Sequence, residues 1–267
     1  MDIILSSSRG ADVLEALKEN HPNPGRLHFE IESGGQIENL AALVPSILKK
    51  YGETGDQGYH VYFVAGLCDV TVKDQDWDHG RYEEVIFTEP WFDAVNRVTR
   101  SIYSAIESVR EFNVTPVFCT IPPCSFRVWN FKRLQQRKTS HLIHFNYYED
   151  MQYSLISAIQ DINRNILHIN DANGVTTPYL ASTVMENLGP NQRPRVHYNR
   201  FRDGVHAKKG LKEKWAKKLI TAMAANRFNI PSPPQLTDSD AEDLEYVSSL
   251  VSSRLENVFD EARDMYL

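Results

Sequence analysis

Short apolar runs, separated by longer stretches with apolar residues at helical spacing, organise most of this chain. Ile3-Ile4-Leu5 reads as a buried strand that stops abruptly at Ser6-Ser7-Ser8, and Val13, Leu14 and Leu17 then follow as on one face of a helix. Leu27-His28-Phe29-Glu30-Ile31 alternates as a second strand should, and Ser33-Gly34-Gly35 ends it. Ile37, Leu40, Leu43, Val44, Ile47 and Leu48 return to helical spacing. His60 to Ala65 is almost continuously apolar and stops at Gly66, which suits the centre of a parallel sheet. A long helix is predicted from Trp91 to about Phe112. Thr115 to Ile121 is a fourth strand, closed by Pro122-Pro123. A helix over Met151 to Ile166 leads to Leu167-His168-Ile169, read as a fifth strand. The last helix of the body starts near Leu211 and passes through Trp215, Leu219 and Met223.

Five strands alternating with helices, each connection long enough for a crossover, predict a parallel sheet covered on both faces. The expected fold is an α/β three-layer sandwich with a sheet of about five strands. Two segments are expected to be irregular, Asp69 to Pro90 and Cys124 to about Tyr148. Pro231-Ser232-Pro233-Pro234 breaks the chain, and beyond it Leu244, Val247, Leu250, Val251, Leu255, Val258 and Phe259 form one stripe of an amphipathic tail helix. Residues 1–227 therefore read as the α/β domain and 228–267 as a linker and tail.

Composition sharpens this picture in one place. The formal net charge is −6. From Leu236 to Leu267 nine acidic residues face only Arg254 and Arg263, so that segment carries −7 and the rest is near +1. The acidity belongs to the tail. No run of about 18 apolar residues is present, so no membrane span is expected. No signal peptide is visible at the start, and the three cysteines, Cys68, Cys119 and Cys124, have no metal-ligand spacing. Both features point to an intracellular, cytoplasmic setting with reduced thiols.

Candidate chemistry collects at strand ends. Ser6-Ser7-Ser8 follows the first strand, Ser33-Gly34 the second, and Gly66-Leu67-Cys68-Asp69 the third. Asp203 and His206 lie just before the last helix. The strand C-termini of a parallel sheet share one rim, where these points would converge. A serine, a histidine with a nearby carboxylate and glycine N–H groups are the parts required for acyl transfer. The plain alternative for the serines is that they cap the first helix.

With these residues in view the sequence resembles the SGNH or GDSL-type hydrolases. Their Gly-Asp-Ser block is matched by Ser6-Ser7-Ser8 after Ile3-Ile4-Leu5, their second-block glycine by Gly34, their Gly-x-Asn-Asp by Gly66-Leu67-Cys68-Asp69, and their Asp-x-x-His by Asp203-Gly204-Val205-His206. The resemblance spans about residues 2 to 226. It implies Ser8 as nucleophile, His206 as base, Asp203 as its partner, and an oxyanion hole from Ser8, Gly34 and the position of Cys68. It implies no metal or organic cofactor. Serines replace the glycine and aspartate of the first block, and Cys68 replaces an asparagine, so one amide donor is lost. The phrases Cys119-Thr120-Ile121-Pro122-Pro123 and Thr177-Pro178-Tyr179-Leu180 also resemble SGNH-type domains of mobile-element (retroelement) proteins.

The implied activity is cleavage of an acyl or acetyl ester. A second reading is an inactive SGNH-fold module for protein assembly or nucleic-acid binding. The segment Arg127 to Lys138 has basic residues interleaved with Trp129 and Phe131, and Lys208, Lys209, Lys212, Lys214, Lys217 and Lys218 add charge. Such a pattern suits phosphate contacts and base stacking, or simply a solvated surface. The tail stripe suits self-association or packing back on the body.

Overall fold

All five residues of β1 (Asp2–Ser6) are buried. A strand with neighbours on both edges and helices on both faces has no polar side to offer, which is why its sequence is an apolar run instead of an alternation. The computed structural model describes residues 2–51, 59–76, 82–87, 89–137, 145–186 and 194–228. After β1 come α1 (Ser8–Asn20), β2 (Leu27–Ile31), α2 (Ile37–Ala41), α3 (Val44–Tyr51), β3 (Tyr59–Val64) and α4 (Leu67–Val70). The hairpin β4 (Val72–Asp76) and β5 (Tyr82–Ile86) precedes α5 (Trp91–Val109), β6 (Val114–Phe118), α6 (Phe126–Arg137) and α7 (Phe145–Ala172). The two-residue strands β7 (Met185–Glu186) and β8 (Arg195–Val196) lead to α8 (Lys209–Arg227).

Four parallel strands form the sheet in the order β2-β1-β3-β6. Strand alternation divides the core into two halves. Ile3, Leu5, Val61, Phe63 and Phe118 face α2, α3, α5 and α7, where Leu40, Val44, Ile102 and Leu155 are buried. Ile4, Tyr62 and Val117 face α1 and α8, with Val13, Leu17, Leu211, Trp215 and Leu219. Each large apolar side chain buried this way stabilises the fold by about 1.5–3 kcal/mol. The outcome is a mixed α/β sandwich of three layers. Its two ends are joined by an ion pair of 2.7 Å between Arg227 on α8 and Asp2 on β1.

The fifth strand expected at Leu167-His168-Ile169 is instead the last part of α7. Its place at the edge is filled by side chains. Asn170 donates to Phe118 O at 2.7 Å and accepts from Phe118 N at 3.1 Å, while Asn163 holds Ile121 O and Ile121 N at 3.0 and 2.6 Å. Strand backbone must satisfy its N–H and C=O groups, and here Asn170 does so at the end of β6 while Asn163, seven residues earlier on the same helix, does so for Ile121 just beyond it. The described sheet therefore has four strands, not about five.

Two segments expected to be irregular contain regular elements among their described residues. Asp69 to Pro90 holds α4 and the β4–β5 hairpin. The basic segment after Cys124 forms α6, because Phe126 and Asn130 are both fully buried at helical spacing and Ser125 Oγ accepts from Val128 N at 3.3 Å as a cap. Gly66, at φ +108°, turns the chain sharply after β3. A Cβ there would lie 2.3 Å from Ile121 Cδ1, so the exits of β3 and β6 abut. The proline break and tail helix expected beyond residue 228 lie outside the described residues.

Candidate active site

The three serines after β1 have different surroundings. Ser6 is fully buried and its hydroxyl donates to Val64 O at 2.8 Å, tying β1 to β3. Ser7 is the extended N-cap residue of α1, and its carbonyl accepts from Gly10 N at 2.9 Å. Ser8 is the first residue of the helix and is half-buried, the most exposed residue of the three. It stands among the unpaired N–H groups of a helix start, where the dipole favours negative charge.

Gly34 lies in an exposed turn after β2, and the neighbouring Gly35 N–H is engaged by Glu32 O at 2.9 Å. Cys68 sits half-buried in α4 beyond β3. Asp69, which follows the third strand in the Gly66-Leu67-Cys68-Asp69 block, reaches across to the start of α2. Its carboxylate accepts from Ile37 N at 3.1 and 3.3 Å. Burial pushes this carboxyl up to about 6, against the Ile37 N–H and the positive charge of Arg97. Arg97 donates to Asp69 O and pairs with Glu89, and these groups line an open polar cleft of about 510 Å³.

Asp203 and His206 form the clearest chemical pair. His206 Nδ1 lies 2.8 Å from Asp203 Oδ2, while Asp203 Oδ1 accepts from the N–H groups of Val205 and His206 at 3.0 and 2.7 Å. Burial works to raise the Asp203 carboxyl, but the hydrogen bonds from His206 and Val205 outweigh it and hold the group below its ordinary range. An ionised carboxylate only accepts, so Nδ1 carries the proton and Nε2 is left as the basic nitrogen. The loop is possible because Gly204 adopts φ +88° and packs on α6. A Cβ at this position would lie 2.8 Å from Ser125 O. Ser125 N in turn donates to Gly204 O at 2.9 Å.

Two further contacts fix the pair relative to the sheet. Asp12 on α1 accepts from Ala207 N at 2.9 Å, which ties the loop to the helix that Ser8 begins. The Trp129 ring lies 5.6 Å from the His206 ring at a tilt of 51°. Trp129, expected in a loop suited either to base stacking or simply to a solvated surface, is thus turned toward the pair, whereas Phe131 is exposed. The side chains of the remaining basic residues from 132 to 138 lie outside the described residues. Among the described residues no group of three His, Cys, Asp or Glu side chains is placed to hold a metal ion.

Sequence reasoning missed Asp12 and Arg9. Arg9 is 4% exposed and donates to Pro122 O and Pro123 O after β6. The available signal was spacing, since residues 9, 13 and 17 fall on one face of α1 and the last two are apolar.

A parallel sheet with this order, doubly covered, is a fold shared with solved structures of hydrolases, and in this chain the Asp203–His206 pair stands just before α8. Solved structures carry that comparison. An acetyl xylan esterase, AlAXEase, aligns over 83% of this chain and 98% of its own with a TM-score of 0.50 at 18% identity. A Bacteroides fragilis protein described as an acylhydrolase aligns over 85% and 87% with a TM-score of 0.50 at 12% identity. No protein-family model and no curated protein matches the sequence. No helix among the described residues is long and apolar enough to cross a membrane.

Proposed function

We propose that the chain is an ester hydrolase of the SGNH type. Ser8 Oγ attacks the carbonyl carbon of an acyl or acetyl ester as His206 Nε2 takes its proton. The tetrahedral intermediate collapses, the same proton passes to the leaving alkoxide, and an acyl-serine remains. Water, deprotonated by His206, then releases the carboxylic acid and restores Ser8. Asp203 holds the imidazole in the required tautomer. The backbone N–H groups of Ser8 and Gly34 serve the oxyanion, with Cys68 in the third place. A thiol is a weak donor, so turnover is expected to be about two to three orders of magnitude below that of a site with the amide.

The observation that carries this reading is the 2.8 Å Asp203–His206 pair, tied through Asp12 to the helix that Ser8 opens. Incubation with p-nitrophenyl acetate tests it. Release of p-nitrophenol by the wild type and its loss in Ser8→Ala are expected, and equal turnover by both would reject Ser8 as nucleophile.

The second reading, a non-catalytic module for assembly or nucleic-acid binding, draws on Ser7 and Cys68 standing where the hydrolases carry aspartate and asparagine. A Ser8 inert to a fluorophosphonate, together with salt-dependent binding of single-stranded RNA, would favour it.

A further inference from the structure

We infer that Arg9 is a positioning residue, a fixed positive charge held beneath the strand exits that favours negative charge at Ser8 and Cys68. Its catalytic consequence rests on the ester-hydrolase reading, but the charge itself can be measured without any turnover.

Arg9 immediately follows Ser8, yet its side chain runs inward. The two terminal nitrogens are held by the carbonyls of Pro122 and Pro123, the second at 3.2 Å, and the guanidinium carbon lies 5.7 Å from the centre of the Phe201 ring. A small cavity bounded by Ser7, Arg9, Ala65, Leu67, Ile121 and Pro122 places the group among the exits of β1, β3 and β6. Those are the turns that carry Ser8, Cys68 and the lead into α6.

The charge is not neutralised there. Among the described residues no carboxylate comes within ion-pair distance of Arg9, and its buried Nε has no hydrogen-bond partner. The nearest acids are committed elsewhere. Asp12 accepts from Ala207 N and pairs with Lys212 at 3.3 Å, and Asp203 is held by His206. Carbonyl dipoles and an aromatic face compensate a buried cation only in part, and a leucine or methionine would fill the same volume without the desolvation cost. Burial lowers the guanidinium's proton affinity, but arginine remains charged in proteins. The thiols of Cys124 and Cys68 and the carboxylates of Asp12 and Asp203 all lie near enough to interact with the guanidinium through space.

Cys68 therefore reports on the field. Cys119 and Cys124 are buried, so Cys68 is the cysteine open to a reagent. Thiolate is the reactive form, and a nearby unit charge acting through protein changes its population by about tenfold or more. The experiment measures alkylation of the Cys68 peptide by iodoacetamide at pH 7, by mass spectrometry, in folded wild type, Arg9→Gln and Arg9→Lys, with melting followed in parallel. Arg9→Gln is expected to react about tenfold more slowly and Arg9→Lys to recover most of the rate. Equal rates in wild type and Arg9→Gln would overturn the inference.

Should Arg9→Gln fail to fold, the wild type decides. The midpoint of its alkylation against pH, which accessibility does not shift, is compared with that of a synthetic peptide of residues 66–71. A lower midpoint in the folded chain supports the charge, and an equal or higher one overturns it. A wild type with no esterase turnover rejects the hydrolase reading and leaves this result standing on its own.

Discussion

Asn170 on α7 binds both backbone groups of Phe118 on β6, donating to its carbonyl at 2.7 Å and accepting from its N–H at 3.1 Å. A side-chain amide thus imitates the neighbour that an edge strand lacks. Asn170→Ala would leave two buried backbone groups without partners, each costing about 1–3 kcal/mol. A loss of about 2–4 kcal/mol in urea denaturation is expected, with native secondary structure retained. A loss under about 0.5 kcal/mol would show that the edge does not depend on this side chain.

Gly204→Ala should be more damaging than an ordinary glycine replacement. The residue must adopt φ +88°, and its new methyl would meet Ser125 O at 2.8 Å. Destabilisation of at least about 1–2 kcal/mol is expected from the backbone alone. The His206 ring should also leave Trp129, which the ring-proton chemical shifts of His206 would reveal. Unchanged shifts would mean that the loop adapts without moving the pair.

The Asp203 carboxyl is held below its ordinary range, so the folded state releases its proton more readily than the unfolded chain. The resulting stabilisation is fully present above the ordinary carboxylate value and disappears as pH falls through the depressed folded value. Asp203→Asn should therefore melt below the wild type at pH 7, and the gap should close toward pH 2. A gap independent of pH would assign the effect to shape instead of charge.

Asp69 has the opposite sign. Its folded-state value of about 6 lies above that of the unfolded chain, so ionisation opposes folding as pH rises through that window. Asp69→Asn keeps an oxygen for Ile37 N and removes the charge. Relative to wild type it should gain up to about 3 kcal/mol between pH 4 and pH 8. Melting curves at the two pH values check this, and an identical difference at both would refute it.

How much of this was legible depended on whether the cause was local. Ile3-Ile4-Leu5, cut off by three serines, and the almost continuous apolar run from His60 to Ala65, cut off by Gly66, carry their own stop signals, and the structure has β1 and β3 there. The Asp203–His206 pair was legible because both partners lie within one turn of chain. Leu167-His168-Ile169 was misread because three residues cannot distinguish a short strand from the end of a helix. Asn163 and Asn170, which resolve the matter, act on residues 42 and 52 positions away. In α6 the basic residues drew the eye from Phe126 and Asn130, whose burial fixes the helix. Arg9 was the hardest to see, since the carbonyls that hold it come 113 and 114 residues later.

The closing contacts of the body carry a consequence for its birth on the ribosome. Asp2 meets Arg227 across 225 residues, and Asp12 meets Ala207 across 195. One whole face of the sheet, with Ile4, Tyr62 and Val117, is covered by α8 together with α1. Until α8 emerges, a nascent chain with its strands already paired displays that apolar face to solvent or to any chaperone nearby, as slow, long-range topologies do. Release of α8 from the exit tunnel, not formation of the sheet, is then the step that ends the exposure of this apolar face to aggregation.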